Sequence, residues 1–234
     1  MITNFNYIQD NYKRILDGVN NSIAKYRTSN DSVKIMAVTK TVQPEAINYA
    51  IGLGINLLGE NKVQEYLGKK PYYNPSATVD FIGRLQTNKV KYIINDINLI
   101  HSVDSIKLAT EIDRLAKKFN KVQDILVEVN IGEEPTKAGV LPDQLKQFLV
   151  QVSNLQNVKV KGLMTLPPPN SGEKFLAKMQ ELYIDISQEK LDNISMTILS
   201  MGTSVDYADA IKYGSTLVRI GTALFGARDY STKK

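Results

Sequence analysis

Short apolar runs alternate with longer amphipathic stretches along this chain, and that alternation limits its fold more than any other feature. The runs lie at 33–38, 55–58, 78–82, 99–101, 125–131, 158–163, 196–199 and 216–220. Each is of a length that suits a buried strand. Between them stand helical candidates at 44–52, 62–69, 87–95, 104–119, 142–152, 173–188 and 207–213. Pro44 and Pro142 occupy first helical turns, where a missing N–H is tolerated, and Asp104 is placed to cap the helix after it. Units that alternate in this way need a parallel sheet with right-handed crossovers. Eight of them predict an α/β protein with a closed (β/α)8 TIM barrel. The competing open sheet lacks support, because no Gly-x-Gly-x-x-Gly comes after the first run.

Ahead of the first run, Phe5, Ile8, Tyr12, Ile15, Leu16, Val19 and Ile23 recur at helical spacing, predicting an extra N-terminal helix over about 4–27 that packs on the barrel. With 234 residues, 43% of them hydrophobic, the chain can bury one large core, and residues 1–234 are expected to form a single domain. The chain has no cysteine and one histidine, which excludes disulfides, thiolate nucleophiles and thiolate metal sites and leaves little for a histidine-based one. No metal is expected. The net charge of +5 is spread along the sequence and interleaved with acids, so no nucleic-acid partner is expected. Charges throughout the first 27 residues leave no signal-peptide core, and no segment is apolar enough to span a bilayer; the expected location is the cytoplasm.

In a barrel, loops at the C-terminal ends of the strands build the site. Lys40 comes after the first run, Asn61 after the second and His101 ends the fourth, while Ser200-Met201-Gly202-Thr203-Ser204 and Gly221-Thr222 come after the seventh and eighth. Closure would make the first and eighth strands neighbours and bring Lys40 to Gly221. A lysine partly desolvated at the barrel mouth has a lowered pKa and a free amine able to form a Schiff base. Gly221 and Thr222 suit a phosphate site, since a glycine lets backbone N–H groups approach an anion, and Ser200, Thr203 and Ser204 add hydroxyls. Arg219 shares a strand face with Leu217 and points into the barrel. It is either half of a structural ion pair with a residue such as Glu128, or a permanent cation set against the ring nitrogen of a pyridine cofactor. Asn61 either bonds a ring substituent or caps a helix. His101 reads as structural rather than catalytic. Lys137 is a second amine near the rim, although its acidic neighbours suit an ordinary surface lysine.

The segments Ala37-Val38-Thr39-Lys40, Gly59-Glu60-Asn61-Lys62-Val63-Gln64-Glu65, Phe81-Ile82-Gly83-Arg84-Leu85-Gln86-Thr87-Asn88-Lys89, His101-Ser102-Val103-Asp104, Leu199-Ser200-Met201-Gly202 and Val218-Arg219-Ile220-Gly221-Thr222 run in the order seen in the pyridoxal phosphate homeostasis protein family. The chain closely resembles that family over nearly its whole length. The resemblance implies a barrel of the alanine racemase N-terminal type that binds pyridoxal 5′-phosphate (PLP) as an internal aldimine with Lys40. It further implies that Ser200, Ser204, Gly221 and Thr222 hold the phosphate, and that Asn61 and Arg219 contact the ring. One departure is Asp80, where the family often has histidine.

The function implied is intracellular PLP (vitamin B6) homeostasis, with effects on amino-acid metabolism. A racemase on this scaffold needs an acid or base on each face of the ring, and related two-domain enzymes bring one from a β domain. Here only 227–234 come after Gly226, so strong catalysis is not expected. The rivals are a PLP-dependent racemase of narrow range and a cofactor-free Schiff-base aldolase acting on a phosphosugar. The expected partners are PLP itself and apo PLP-dependent enzymes that would receive it, and the protein is expected to be a monomer.

Overall fold

A computed structural model describes residues 4–28 and 32–227. The chain opens with helix α1 (Asn6–Tyr26), succeeded by β1 (Lys34–Val38), α2 (Pro44–Gly52), β2 (Leu57–Glu60), α3 (Val63–Lys69), β3 (Thr78–Phe81) and β4 (Leu99–Val103). It continues through α4 (Ile106–Lys118), β5 (Gln123–Val129), α5 (Leu145–Val152), β6 (Val158–Thr165), α6 (Lys174–Ser187), β7 (Ile194–Ser200), α7 (Tyr207–Lys212), β8 (Leu217–Ile220) and α8 (Thr222–Phe225). The eight strands close in sequence order into a parallel barrel. Closure is made by β1 against β8, with Met36 opposite Arg219 and Ala37 opposite Ile220.

The apolar alternation accounts for this closure. Ala37, Leu58, Ile100, Ile125, Leu163, Leu199, Val218 and Ile220 are buried in the large core between the strands and the surrounding helices. The opposite strand faces enclose a second, small cluster in the lumen, Leu99, Leu126 and Met164 with Ile198 packed on it. Gly59 leaves room there for Met36: a Cβ on Gly59 would lie 2.5 Å from the Met36 sulfur. Helix α1 buries Ile8, Ile15 and Val19 on one stripe and packs on α7 and α8.

Most strand ends shift by a residue or two from expectation, β5 to Gln123–Val129 and β7 to Ile194–Ser200 among them, and three departures have consequences. Strand β2 is displaced to Leu57–Glu60, because the carboxylate of Glu60 finds donors inside the barrel wall and can continue the strand. The 87–95 crossover is a 3-10 helix over Thr87–Tyr92 rather than an α-helix. Asp104 does not cap α4: that position belongs to Ser105, whose side chain makes no cap hydrogen bond. The short segment after Gly226 lies, from residue 228 onward, outside the described residues.

Candidate functional site

Two turns set the geometry of the site. Thr39-Lys40-Thr41 leaves β1, and Gly221-Thr222 leaves the adjacent β8. They share a pocket of about 330 Å³ lined by Lys40, Asn61, Thr203, Ser204, Arg219, Gly221 and Thr222, with apolar walls from Val38, Ile82, Leu166 and Val205. Six of the seven residues expected to hold a cofactor therefore meet. The seventh, Ser200, is fully buried in β7 and does not line this pocket. Its hydroxyl is engaged inside the barrel, where it accepts from Arg219 Nη1 at 2.7 Å and lies 3.2 Å from His101 Nδ1.

At the phosphate end, the Ser204 hydroxyl accepts the backbone N–H groups of Gly221 at 3.2 Å and Ala223 at 3.1 Å. These N–H groups converge on one oxygen, the arrangement a phosphate oxygen needs. Ala223 contributes only its main chain, so no side-chain signal in the sequence marks it. Thr203 is committed elsewhere, its N–H and hydroxyl both donating to Asp206 Oδ1.

Arg219 is 4% exposed. Its guanidinium donates to Ser200 Oγ and, at 2.8 Å, to the carbonyl of Thr165. Among the described residues no ion pair joins it to Glu128, which removes the structural-pair alternative for these two. Burial lowers its pKa to about 10, against the opposing pull of Asp206 and Glu128, so it stays cationic at neutral pH. Glu128 is affected in return: burial first, then Asp104, push its carboxyl up to about 7, while Arg219 and Arg84 restrain the rise.

Behind Arg219 a polar chain crosses the lumen. Asp80 Oδ2 lies 3.1 Å from His101 Nε2, and Asn98 Nδ2 donates to Asp80 Oδ1 at 2.8 Å. A carboxylate only accepts, so Nε2 carries the proton; Nδ1 then accepts from the Ser200 hydroxyl, which accepts in turn from Arg219. Every group is satisfied with a neutral imidazole. Burial lowers the pKa of His101, with Arg219 adding to that and Asp80 opposing it. The structural role expected of His101 is the one its geometry supports.

Asn61 is not a helix cap, since Lys62 holds that position before α3. Its Oδ1 is buried without a hydrogen-bond partner. Gly83 permits this packing: a Cβ there would lie 2.1 Å from the Asn61 carbonyl oxygen. Lys137 lies apart from the pocket and pairs with Glu134 at 2.6 Å.

These groups fit PLP. An amine stands at one side, backbone donors for a phosphate at another, a buried cation at the back and an amide oxygen lacking a donor beside them. The volume lies at the lower end of the range of about 300–1,000 Å³ usual for small-molecule pockets.

The sequence profile described as "Alanine racemase, N-terminal domain" matches residues 16–229. A pyridoxal phosphate homeostasis protein from Aquifex aeolicus is 43% identical over 225 residues, 93% of this chain and 96% of the relative. The chain belongs to the pyridoxal phosphate homeostasis protein family. PipY from Synechococcus elongatus, whose structure was solved with PLP bound, is a solved counterpart of this homeostasis-protein barrel at TM-score 0.78 and 32% identity, covering 89% of this chain and 100% of PipY. A structure described as that of an unknown protein from Bifidobacterium adolescentis reaches TM-score 0.90 at 29% identity, over 96% of this chain and 98% of its own. The Clostridium difficile alanine racemase is similar in fold alone, at 16% identity, and this chain spans only 57% of its length. The near relatives are thus homeostasis proteins, with the racemases at a distance.

Among the described residues no helix is long and apolar enough to cross a membrane, and no cluster of potential metal ligands occurs.

Proposed function

We propose that this chain holds PLP reversibly as a Schiff base with Lys40 and thereby serves cofactor homeostasis in the cytoplasm. The observation that carries this reading is the meeting of Lys40, Arg219 and the Gly221 turn in one pocket. When bound, PLP supplies an electrophilic aldehyde carbon for an amine. The backbone N–H groups of Gly221 and Ala223, with the hydroxyls of Ser204 and Thr222, hold the phosphate. Asn61 bonds a ring substituent, and its partnerless Oδ1 favours a donor there. Arg219 faces the ring nitrogen as a donor. Because it stays cationic, that nitrogen remains unprotonated and the ring is a weak electron sink.

The pocket lining also bears on reversibility. Racemisation needs an acid or base on each ring face. Among the described lining residues Lys40 alone is suited to that work, since the others are amide, hydroxyl, guanidinium or apolar groups. Held without strong catalysis, the cofactor stays available to a competing amine or to an apo enzyme, and the protein acts as a monomer.

The test is borohydride reduction of the PLP-loaded protein and then peptide mass spectrometry. The expected result is one reduced adduct, on Lys40, that Lys40→Ala lacks. A Lys40→Ala variant with the wild-type absorption band and affinity defeats the reading. Omitting the loading step separates a cofactor-free aldolase, which as purified is colourless and gives no pyridoxyl adduct.

A further inference from the structure

Lys40 sits in a tight turn whose next residue, Thr41, has a φ of +64°. That left-handed conformation is uncommon for a β-branched residue and is kept only where the surroundings fix it. The fixing groups are identifiable. Glu65 Oε1 accepts the backbone N–H of Thr41 at 2.5 Å, and Lys69 Nζ donates to the backbone carbonyl of Thr39 at 2.9 Å. Glu65 and Lys69 stand one turn apart on α3 and pair with each other at 3.1 Å.

The anchorage continues inward. Lys69 pairs at 2.8 Å with Glu60, whose carboxylate is fully buried. Glu60 Oε1 also accepts from the Thr39 hydroxyl at 2.6 Å and from the Tyr73 hydroxyl. A salt bridge that served stability alone has no need to grip main-chain atoms. This one holds the residues on both sides of Lys40, through a network buried at Glu60, Lys69 and Thr39 and reaching the surface at Glu65 and Thr41.

We propose that Glu65 and Lys69 are positioning residues for Lys40: they clamp the 39–41 turn so that its amine enters the pocket in one orientation. The proposal rests on the reading that Lys40 holds the cofactor. It assigns α3, which lies outside the pocket, a direct influence on cofactor affinity.

The experiment compares Glu65→Ala, Glu65→Gln and Lys69→Met with the wild-type protein. Its readouts are PLP affinity by absorbance, hydrogen exchange of the Thr41 amide without cofactor, and melting temperature. Glu65→Ala is expected to weaken PLP binding about tenfold, or about 1.4 kcal/mol, and to speed Thr41 exchange by a similar factor, with little change in melting. Glu65→Gln keeps an oxygen for the Thr41 N–H and is expected to restore most of both. Lys69→Met removes the partner of buried Glu60 and is expected to lower affinity and melting together; if it does not fold, the Glu65 pair still decides. Wild-type affinity and exchange in Glu65→Ala overturn the clamp alone, provided the wild-type adduct maps to Lys40. An adduct elsewhere overturns the parent reading and the clamp with it.

Discussion

Replacing His101 with leucine tests the polar chain in the barrel lumen most severely. The substitution keeps much of the volume but removes two interactions, the 3.1 Å contact with Asp80 and the 3.2 Å contact with Ser200. Asp80 is 1% exposed and would keep only the Asn98 amide as a donor. Leaving a buried acceptor without its donor costs about 1–3 kcal/mol, with a carboxylate at the upper end, so the expected loss is about 3 kcal/mol. A total stability of about 5–15 kcal/mol would be cut substantially. For a chain of this size the loss corresponds to a fall in melting temperature of about 6–12 °C. Removing the stranded carboxylate as well should recover much of the loss, so His101→Leu with Asp80→Leu is expected to be less destabilised than the sum of the single variants. The assay is urea unfolding of the four proteins in a double-mutant cycle. A loss below about 1 kcal/mol for His101→Leu, or strict additivity in the cycle, would refute the reasoning. Because the chain has one histidine, nitrogen NMR offers an unobscured check: Nε2 should carry the proton throughout neutral pH.

The same geometry sets further outcomes. The folded pKa of His101 lies below its unfolded value near 6.5, so its contribution is complete above that pH and is lost as pH falls below it, by at most about 1.4 kcal/mol per pH unit. Urea titrations of His101→Leu should lack this slope. Glu128 acts in the opposite sense, since its carboxyl is raised from 4.5 to about 7. Its contribution is full well below pH 4.5 and disappears as pH rises through 7, so Glu128→Gln should gain about 3 kcal/mol on the wild type at pH 8 and almost nothing below pH 4.5; equal pH profiles would contradict the shift. Ser204→Ala removes one of the two hydroxyls proposed to hold the phosphate and should weaken PLP by about five- to tenfold in a binding titration while affecting unphosphorylated pyridoxal little. Gly162→Ala should fold poorly: φ there is +151° and a Cβ would lie 1.8 Å from the Ile198 carbonyl oxygen at the irregularity between β6 and β7, so soluble yield is the measure.

How far the sequence could be read depended on the kind of signal each feature leaves. All eight strands were legible, most of them because burial on both faces demands apolar runs and β7 despite being only half-buried over most of its length, and closure then placed Lys40 beside Gly221. Helix starts were less legible: Asp104 has capping chemistry, yet the chain turns one residue later at Ser105. Ser200 shows the limit for site residues. Its neighbour Gly202 has a φ of +93° and Ser204 reaches the pocket, but strand alternation turns Ser200 into the lumen, and a hydroxyl-rich segment carries no mark of which hydroxyl faces which way. Arg219 was correctly placed inside the barrel, whereas its partners, a serine hydroxyl and the Thr165 carbonyl, come from strands with no paired charge to betray them. The Glu65 and Lys69 pair did leave a trace, an i,i+4 acid and base just after Gly59-Glu60-Asn61, but surface helices carry the same spacing routinely.

The seam between β1 and β8 carries a consequence for synthesis. The amine and the anion-holding turn come from opposite ends of the barrel sequence, so a ribosome-bound chain still lacking its last strand possesses the lysine but no site. Capture of a reactive aldehyde would thus be reserved for finished molecules. Ligand bound across the join favours the closed state in proportion to the logarithm of its concentration over its dissociation constant. Vitamin supply would then be felt directly in how long each copy survives proteolysis.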